Sequence, residues 1–344
     1  MDSSKPLITV ILPVRNEEKY IERCLNSIVE QTIAKELLEV LVIDGNSTDK
    51  TPEIVRLYLK KFNYIRLLNN PEQNTIAALN LGIKKASGEI IIRVDGHVYL
   101  KRDYIEQCIE ALKRTGADNV GGNMRAIGNT YIQKAIALAT CSIFGIGWGK
   151  FHYSDKEEFV DTVYLGAFRK SIFEKVGTFD PEMQYSEDNE LNLRIMKSGG
   201  KILLSPKIKS HYFPRESLKD LWRQYFKYGY FKLKVMQKHK IKISFRHFIP
   251  ASLVCSIFIS ALLAIFKPTF TYLFYIIISS YLATSFLFSI KIALNKGIRY
   301  LPILPIVFTT LHLSYGIGFL KGIWDFIILK KYKKKFIVEA ITGN

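Results

Sequence analysis

The sequence predicts an α/β domain with a mostly parallel sheet and helices on both faces, followed by a C-terminal transmembrane helical region. Three observations carry that prediction. Apolar runs of strand length alternate with helix-patterned stretches through residues 1–215. Those runs are nearly continuous in apolar character, as in strands covered on both faces. Residues 248–266, 270–290 and 301–320 contain no Asp, Glu, Lys or Arg. At about 1.5 Å rise per residue each makes a helix about 30 Å long, enough to cross a bilayer core.

The elements follow in order. In LITVILPVRNEEKYIERCLNSIVEQ the apolar run over residues 7–12 ends at Pro13. Asn16 is expected to cap a helix whose first turn holds Glu17 and Glu18, with Ile21, Leu25, Ile28 and Val29 at helical spacing. LEVLVIDGNSTDKTPEIVRLYLKKF repeats the plan: a strand ending at Asp44, a polar loop with a glycine, a helix starting near Thr51 and Pro52. YIRLLNN is a third strand, followed by a helix over residues 76–86, and GEIIIRVDGH is a fourth strand ending at Asp95. Ligands of such sheets bind beyond the carboxyl ends of the strands, where Asp44 and Asp95 both sit.

Residues 119–179 are less regular. YIQKAIALATCSIFGIGWG is apolar and helical in pattern, which fits core packing and contact with a membrane or an acceptor equally. Further on, a turn at Asp180 and Pro181 precedes a helix from about Glu187. SLKDLWRQYFKYGYFKLKVMQKHK interleaves aromatics with lysines at near-helical spacing, the pattern of an interfacial amphipathic helix. The expected organisation is a globular domain over 1–215, a basic interfacial segment over 216–247, and a membrane domain over 248–344 with about three spans.

The formal charge is +18, and its placement is informative. Residues 197–246 hold fourteen Lys and Arg against two acids, Glu216 and Asp220. A basic segment beside an apolar span is drawn to anionic lipid by about 1 kcal/mol per residue and marks the cytoplasmic side. The adjoining span argues against a nucleic-acid partner. MDSSKPLITV is too short and polar for a secretory signal, so the N-terminal domain is expected to stay in the cytoplasm. Cys24, Cys108, Cys141 and Cys255 have no paired spacing and are expected to be reduced thiols without a zinc site. One conflict stands. Three crossings would put KKYKKK, residues 330–335, outside, against the charge rule. The rule fails there, one apolar run is re-entrant, or the C-terminal stretch turns back.

Asp95-Gly96-His97 at a strand end offers a carboxylate and an imidazole to one divalent ion, with Gly96 letting the backbone approach a ligand closely. Such an ion bridges nucleotide phosphates as a Lewis acid. On its own, His97 also fits a surface histidine.

LPVRNEE, VIDGNSTDKT, NTIAALNLGIKKASGEIIIRVDGH, YSEDNELNLRI and RQYFKYG occur in that order. Together they closely resemble family 2 inverting glycosyltransferases of the Rossmann-like GT-A fold, over roughly residues 6–235. The Asp-x-His variant, RQYFKYG and the following apolar spans look most like the membrane-bound glucosyltransferases of succinoglycan-type exopolysaccharide assembly. The resemblance implies that Pro13, Arg15, Asn16 and Glu17 line the nucleotide pocket and that Asp44 touches the uridine. Gly45 stands where the family often has a second acid that helps read the base. Asn80 matches a binding asparagine, although Leu79 replaces the arginine before it. Asp95 and His97 match the metal motif, with His211 a further candidate ligand. Asp188, second in the Glu187-Asp188 pair, is the expected general base. Gln224, Lys227 and Tyr228 match Gln-x-x-Arg-Trp, and Lys227 keeps the charge while losing the planar fork. Arg215 is either an acceptor-pyrophosphate ligand or a membrane-facing residue.

The activity so implied is metal-dependent transfer of a sugar, glucose, from a UDP-sugar to a polyprenyl-diphosphate-linked glycan at the cytoplasmic membrane face, with Mn2+ or Mg2+. Such displacement needs a base for the acceptor hydroxyl, charge compensation for the leaving diphosphate, and close approach of the two substrates. The rivals are a polyprenyl-phosphate glycosyltransferase, a processive polysaccharide synthase and a silent scaffold that binds nucleotide sugars.

Overall fold

The computed structural model describes residues 7–329 except 148, 184 and 240–246. The end of the basic run before the first apolar span and the KKYKKK stretch therefore lie outside the described residues.

Strand β1 (Ile8–Val14), helix α1 (Ile21–Val29), β2 (Leu38–Asp44), α2 (Thr51–Lys61), β3 (Ile65–Asn69), α3 (Thr75–Lys85) and β4 (Ile90–Arg93) form the first half of the sheet. These four strands are parallel in the order β3-β2-β1-β4. Successive residues of β1 point to opposite faces. Val10 and Leu12 pack with Leu25 and Ile28 of α1 and Val55 of α2. Ile11 packs with Ile76, Leu79 and Ile83 of α3. The nearly continuous apolar runs are thus explained by burial on both faces, each full burial being worth about 1.5–3 kcal/mol.

The second half of the sheet is mixed in direction. β5 (Val98–Leu100), α4 (Tyr104–Thr115) and β6 (Asn119–Ala126) follow β4. The chain then runs through α5 (Tyr131–Thr140) and α6 (Ile143–Ile146) before β7 (Glu158–Phe159), β8 (Tyr164–Arg169), α7 (Ser171–Val176), α8 (Glu187–Lys197) and β9 (Ile202–Tyr212). The sheet continues β4-β8-β6-β9-β5, with β7 also on β9. β8 is antiparallel to β4 and β6, β5 and β7 are antiparallel to β9, and only β6 and β9 run parallel. Strand periodicity carries no information on direction, so this half was not legible in advance.

The helix starts show a second correction. Asn16 does not cap α1: the N-cap is Tyr20, with no side-chain hydrogen bond, and Glu17 and Glu18 precede the helix. Asn16 is in the left-handed region at φ 56° and its Oδ1 accepts from the Thr48 N–H at 2.8 Å. Asn74 does cap α3, accepting from Ala77 N–H at 2.8 Å.

Two compact units emerge. One holds the chain up to Ala126 with Lys150–Phe213, and the other holds Ile127–Gly149 with the chain from Pro214 on. The second contains α5, α6, α9 (Leu218–His239), α10 (Ile249–Phe266), α11 (Phe270–Lys296) and α12 (Leu304–Gly322). Ala135, Ile136 and Ala139 of α5 pack on Leu221 of α9 and on Leu304, Val307, Phe308 and Leu311 of α12. The apolar helical stretch before Gly149 is therefore core of this second unit. Among the described residues, three helical segments are long and apolar enough to cross a membrane: Ile249–Phe266, Phe270–Lys296 and Leu304–Ile328.

One buried polar network pins the amino ends of the parallel strands. Thr9 Oγ1 donates to Glu39 Oε2 at 2.6 Å and accepts from Gly88 N–H at 2.9 Å, while Ser87 N–H donates to Glu39 Oε2 at 2.9 Å. Thr9→Val keeps the shape but orphans the Gly88 N–H and removes a donor to Glu39. The variant is expected to lose about 1–3 kcal/mol of stability, read as a lowered midpoint in chemical denaturation of the detergent-purified full chain.

Candidate functional site

The loops that follow β1, β2 and β3 interlock beyond the carboxyl ends of those strands. Asn16 N–H donates to Ser47 Oγ at 2.9 Å, Glu17 N–H to Thr51 Oγ1 at 2.8 Å, and Glu18 N–H to Asp49 Oδ2 at 3.1 Å. Arg15 reaches the third loop, donating to the Gln73 carbonyl at 3.1 Å and to Gln73 Oε1 at 2.7 Å. Asn16, Asn46 and Gln73 all hold left-handed backbones, with φ between 55° and 56°. Asparagine tolerates that conformation better than most residues, which accounts for two of the three. Asp44 ends β2 and accepts from Ser47 N–H at 3.2 Å and from Ser47 Oγ at 2.5 Å. Pro13 lies at the end of β1, in register with Ile43. The first five expected pocket residues, Pro13, Arg15, Asn16, Glu17 and Asp44, therefore share one loop cluster.

The centre of the site is a residue that sequence reasoning passed over. Arg93, only 8% exposed, ends β4. Its Nε donates to Asp95 Oδ1 at 3.0 Å, and its Nη1 to Glu187 Oε1 at 3.1 Å and Asp188 Oδ1 at 2.7 Å. One guanidinium thus joins the end of β4 to the first turn of α8. The available signal was the lone cation in IIIRVD, since a charge on a buried strand must be paired. Burial works against the Arg93 charge, but Asp188, Asp95 and Glu187 outweigh it and push its pKa further up. Asp188 moves the other way from an ordinary carboxylate. Burial raises its pKa to about 7, Arg93 opposes the rise, and the charges of Glu187 and Asp95 add to it. The Asp188 side chain stays 32% exposed, so it is reachable from solvent.

His97 is oriented by Glu17, with Nδ1 2.9 Å from Glu17 Oε1. A carboxylate on one ring nitrogen fixes the orientation of the imidazole, the usual arrangement behind a metal-bound histidine. Gly96 has a more specific reason than expected. A Cβ there would lie 2.9 Å from Glu17 Cγ and 3.2 Å from Val14 Cγ1, so glycine makes room for the carboxylate that holds His97. Among the described residues, no group of three or more His, Cys, Asp or Glu is placed to hold a metal ion. Asp95 and His97 supply a carboxylate and an imidazole, the donor types that a divalent ion shares with a diphosphate and water.

Two expected ligands are placed elsewhere. His211 pairs with Tyr99 across β5 and β9 and stacks on its ring, at 5.9 Å between centroids. Its neighbour Tyr212 is the one against His97, at 5.3 Å. Adjacent strand residues face opposite ways, so His211 points away from His97. Burial, with Lys101 and Arg23 nearby, lowers its pKa, a cationic setting unsuited to a metal ion. Asn80 donates to the Phe179 carbonyl at 2.7 Å and accepts from Phe179 N–H at 2.9 Å. Its amide clamps the turn before Pro181, where a ligand contact was expected. Gln224, Lys227 and Tyr228 belong to α9 in the second unit, where Gln224 Nε2 donates to Tyr228 Oη one turn away at 2.8 Å. Arg215 is exposed just before that helix.

Comparison with known proteins bears on this site. A family model described as Glycosyl transferase family 2 matches residues 9–177, and one described as Glycosyl transferase family group 2 matches residues 99–320. The chain is 29% identical over 319 residues to the succinoglycan biosynthesis protein ExoA of Rhizobium meliloti, covering 92% of this chain and 95% of that protein. It is 31% identical over 325 residues to the dolichyl N-acetyl-alpha-D-glucosaminyl phosphate 3-beta-D-2,3-diacetamido-2,3-dideoxy-beta-D-glucuronosyltransferase of Methanococcus voltae, covering 92% and 97%. Among solved structures, the mannosyltransferase PcManGT from Pyrobaculum calidifontis, in complex with GDP-Man and Mn2+, superposes with a TM-score of 0.58. That match has 19% identity and covers 93% of this chain and 88% of that one, which shows a shared fold.

The hub makes a direct prediction. Arg93→Met leaves Asp95, Glu187 and Asp188 without their shared cation and is expected to cost about 3–5 kcal/mol. Arg93→Lys keeps the charge, loses the fork and is expected to fall between the two. Denaturation midpoints of the purified full chain measure this, and an unchanged midpoint for Arg93→Met would remove the hub from the account.

Proposed function

The chain belongs to glycosyl transferase family 2 and is a glycosyltransferase, and from that premise we propose that it moves a hexose, glucose, from a UDP-sugar to a polyprenyl-diphosphate-linked glycan. The transfer inverts the anomeric centre and takes place at the cytoplasmic face of a membrane that the C-terminal helices enter. The observation that carries this reading is the Arg93 hub, which holds Asp188 and Asp95 on one guanidinium. A proton acceptor and a ligand for the phosphate end of the donor are then kept together, as a direct displacement requires.

In this reading Asp188 is the general base. It takes the proton of the acceptor hydroxyl as that oxygen bonds to the anomeric carbon. The bond from that carbon to the diphosphate oxygen breaks, and its electron pair leaves with the nucleoside diphosphate. A raised pKa makes Asp188 a stronger base than an ordinary carboxylate and brings it nearer the working pH. Arg93 and Glu187 position it. Arg15, Asn16, Glu17, Pro13 and Asp44 form the nucleotide cradle, and Gln224, Lys227 and Tyr228 are assigned to the diphosphate and the acceptor. Asp95 and His97 would hold Mn2+ or Mg2+, which when bound compensates the charge of the leaving diphosphate. The GDP-Man and Mn2+ of the Pyrobaculum calidifontis enzyme support a nucleotide sugar and a divalent ion. The Rhizobium meliloti relative supports a role in exopolysaccharide or cell-surface glycan synthesis.

The Methanococcus voltae relative, whose name specifies a dolichyl-linked sugar phosphate, favours a second form of acceptor carrying one phosphate. Radiolabelled transfer from a panel of nucleotide sugars into membrane lipid extracts, followed by hydrolysis, identifies the donor and counts the phosphates in the product. No label in the lipid fraction from any donor would sink both forms.

Asp188→Asn is expected to lower kcat by about 10²–10⁴ with donor binding retained, the range for loss of a general base. The base works only when ionised, so kcat/KM should fall as pH drops through about 7. Glu187→Gln removes a negative neighbour that raises the Asp188 pKa, and so should move that limb to lower pH. EDTA should abolish turnover. His97→Asp should keep activity while shifting metal preference from Mn2+ toward Mg2+, since imidazole suits the softer ion and carboxylate the harder. An unchanged metal preference would leave His97 a structural partner of Glu17.

A further inference from the structure

We propose that α12 does not cross the bilayer. With α9 it forms a two-helix layer lying on an anionic lipid surface, and among the described residues the two helices of the α10–α11 hairpin make the crossings. This rests on the membrane-bound, cytoplasmic reading above and settles which side its last helix occupies.

The three apolar segments are not equivalent. Only 11% of the most apolar stretch of Ile249–Phe266 and of Phe270–Lys296 is buried within the protein, against 50% for Leu304–Ile328. The first two leave most of their sides uncovered by protein, while half of the third is covered. What covers it fixes its position. Gly316 meets the first turn of α10, where an added Cβ would lie 2.4 Å from the Pro250 carbonyl oxygen. The rings of Phe319 and Phe248 are 5.4 Å apart. At the other end, Leu304, Val307 and Phe308 cluster with Phe288 and Ile292, toward the end of α11. The start of α10 and the end of α11 lie on the same side of a hairpin, so α12 runs across its open end. Between these ends His312 Nδ1 lies 3.0 Å from Tyr281 Oη of α11. α11 has 27 residues, about 40 Å of helix and about 10 Å more than a bilayer core. Its surplus ends in Lys291 and Lys296, so the last turns of α11 stand in the interface and carry α12 with them.

α12 also runs alongside α9, from Leu221 near its start to Tyr230 and Gln237 near its end. Gly229 and Gly318 bring the two backbones together: a Cβ on either would lie 2.2 Å from the Tyr315 oxygen or 2.1 Å from the Phe226 oxygen. Further along, Tyr230 Oη donates to Asp325 Oδ2 at 3.0 Å and Gln237 Nε2 to the Phe326 carbonyl at 3.0 Å. α9 carries Lys219, Arg223, Lys227, Lys232, Lys234 and Lys238 against the single acid Asp220. A crossing α12 would take these cations to bilayer depth, where charge is costly, together with Asp325, which is 3% exposed and bonded to Lys321 Nζ at 2.9 Å. On an anionic leaflet the same cations are attracted. Exposed Ile317, Trp324 and Ile328 follow one another at near-helical spacing, an apolar face with an interfacial anchor. Two crossings leave Lys291, Lys296 and Arg299 on one side and Lys267 alone on the other, as the charge rule favours.

Single cysteines in the full-length chain test this, in a background where Cys141 and Cys255 are alanine and buried Cys24 and Cys108 remain. Glu30→Cys marks the catalytic unit, Pro268→Cys the hairpin turn and Leu329→Cys the end of the α12 segment. Each is treated with a membrane-impermeant maleimide in sealed inverted and right-side-out vesicles. The expected result is that Glu30→Cys and Leu329→Cys label on one face and Pro268→Cys on the other. Leu329→Cys labelling with Pro268→Cys, opposite Glu30→Cys, overturns the proposal and restores a third crossing. Glu30→Cys and Pro268→Cys labelling on the same face defeats the membrane-spanning reading itself, and the proposal with it.

Discussion

A buried guanidinium shared by three carboxylates is the interaction on which the rest of the site depends. Arg93 lies at the end of a strand that packs on both faces, where an unpaired charge would be strongly unfavourable. Its partners come from the residue pair after the strand and from the first turn of a helix more than ninety residues away. The helix amino terminus already favours negative charge at Glu187 and Asp188. Bringing Asp95 close would set three like charges against each other, and the guanidinium makes that arrangement stable. The same crowding lifts Asp188 above an ordinary carboxylate, so one set of contacts holds the fold together and tunes a functional group.

Around that hub the surface is made of loops that bond to one another before any substrate arrives. Parallel strands deliver their loops to a common edge, and the stray N–H groups of the first loop find oxygens in the second. Left-handed backbones at Asn16, Asn46 and Gln73 turn the chain tightly enough for this. Gly96 belongs to the same logic. The missing Cβ admits Glu17, and Glu17 orients His97. A cradle built in this way loses little conformational freedom on binding.

The second unit is organised by a different constraint. Its apolar helices are similar in composition but differ in what surrounds them. α10 and α11 leave most of their side chains uncovered by protein, whereas half of the α12 segment is buried against α5, α9, α10 and α11. Glycines at the α9–α12 contact let a strongly basic helix lie directly against an apolar one. Length and hydropathy select segments that could cross a membrane, and the neighbours decide which of them do.

Much of this molecule could be read from sequence because periodicity is a local property of the backbone. The alternation of β1 to β4 with α1 to α3, the strand end at Asp44, the start of α8 at Glu187 and the apolar stretches of α10 to α12 all follow from spacing, turn residues and hydrophobic runs, whereas β4 stops at Arg93, two residues before the expected Asp95. The order of motifs was enough to show the resemblance that the family matches bear out. What tertiary structure decided depends on partners distant in the chain. It made half the sheet mixed, because strand patterns carry no direction. It turned His211 away from His97, because register sets facing. It committed Asn80 to Phe179 and gave α5 to the second core, since an apolar face does not name its neighbour. Arg93 shows the division most plainly: the sequence required that a cation on a buried strand be paired, and only the folded chain could say that its partners were Asp95, Glu187 and Asp188.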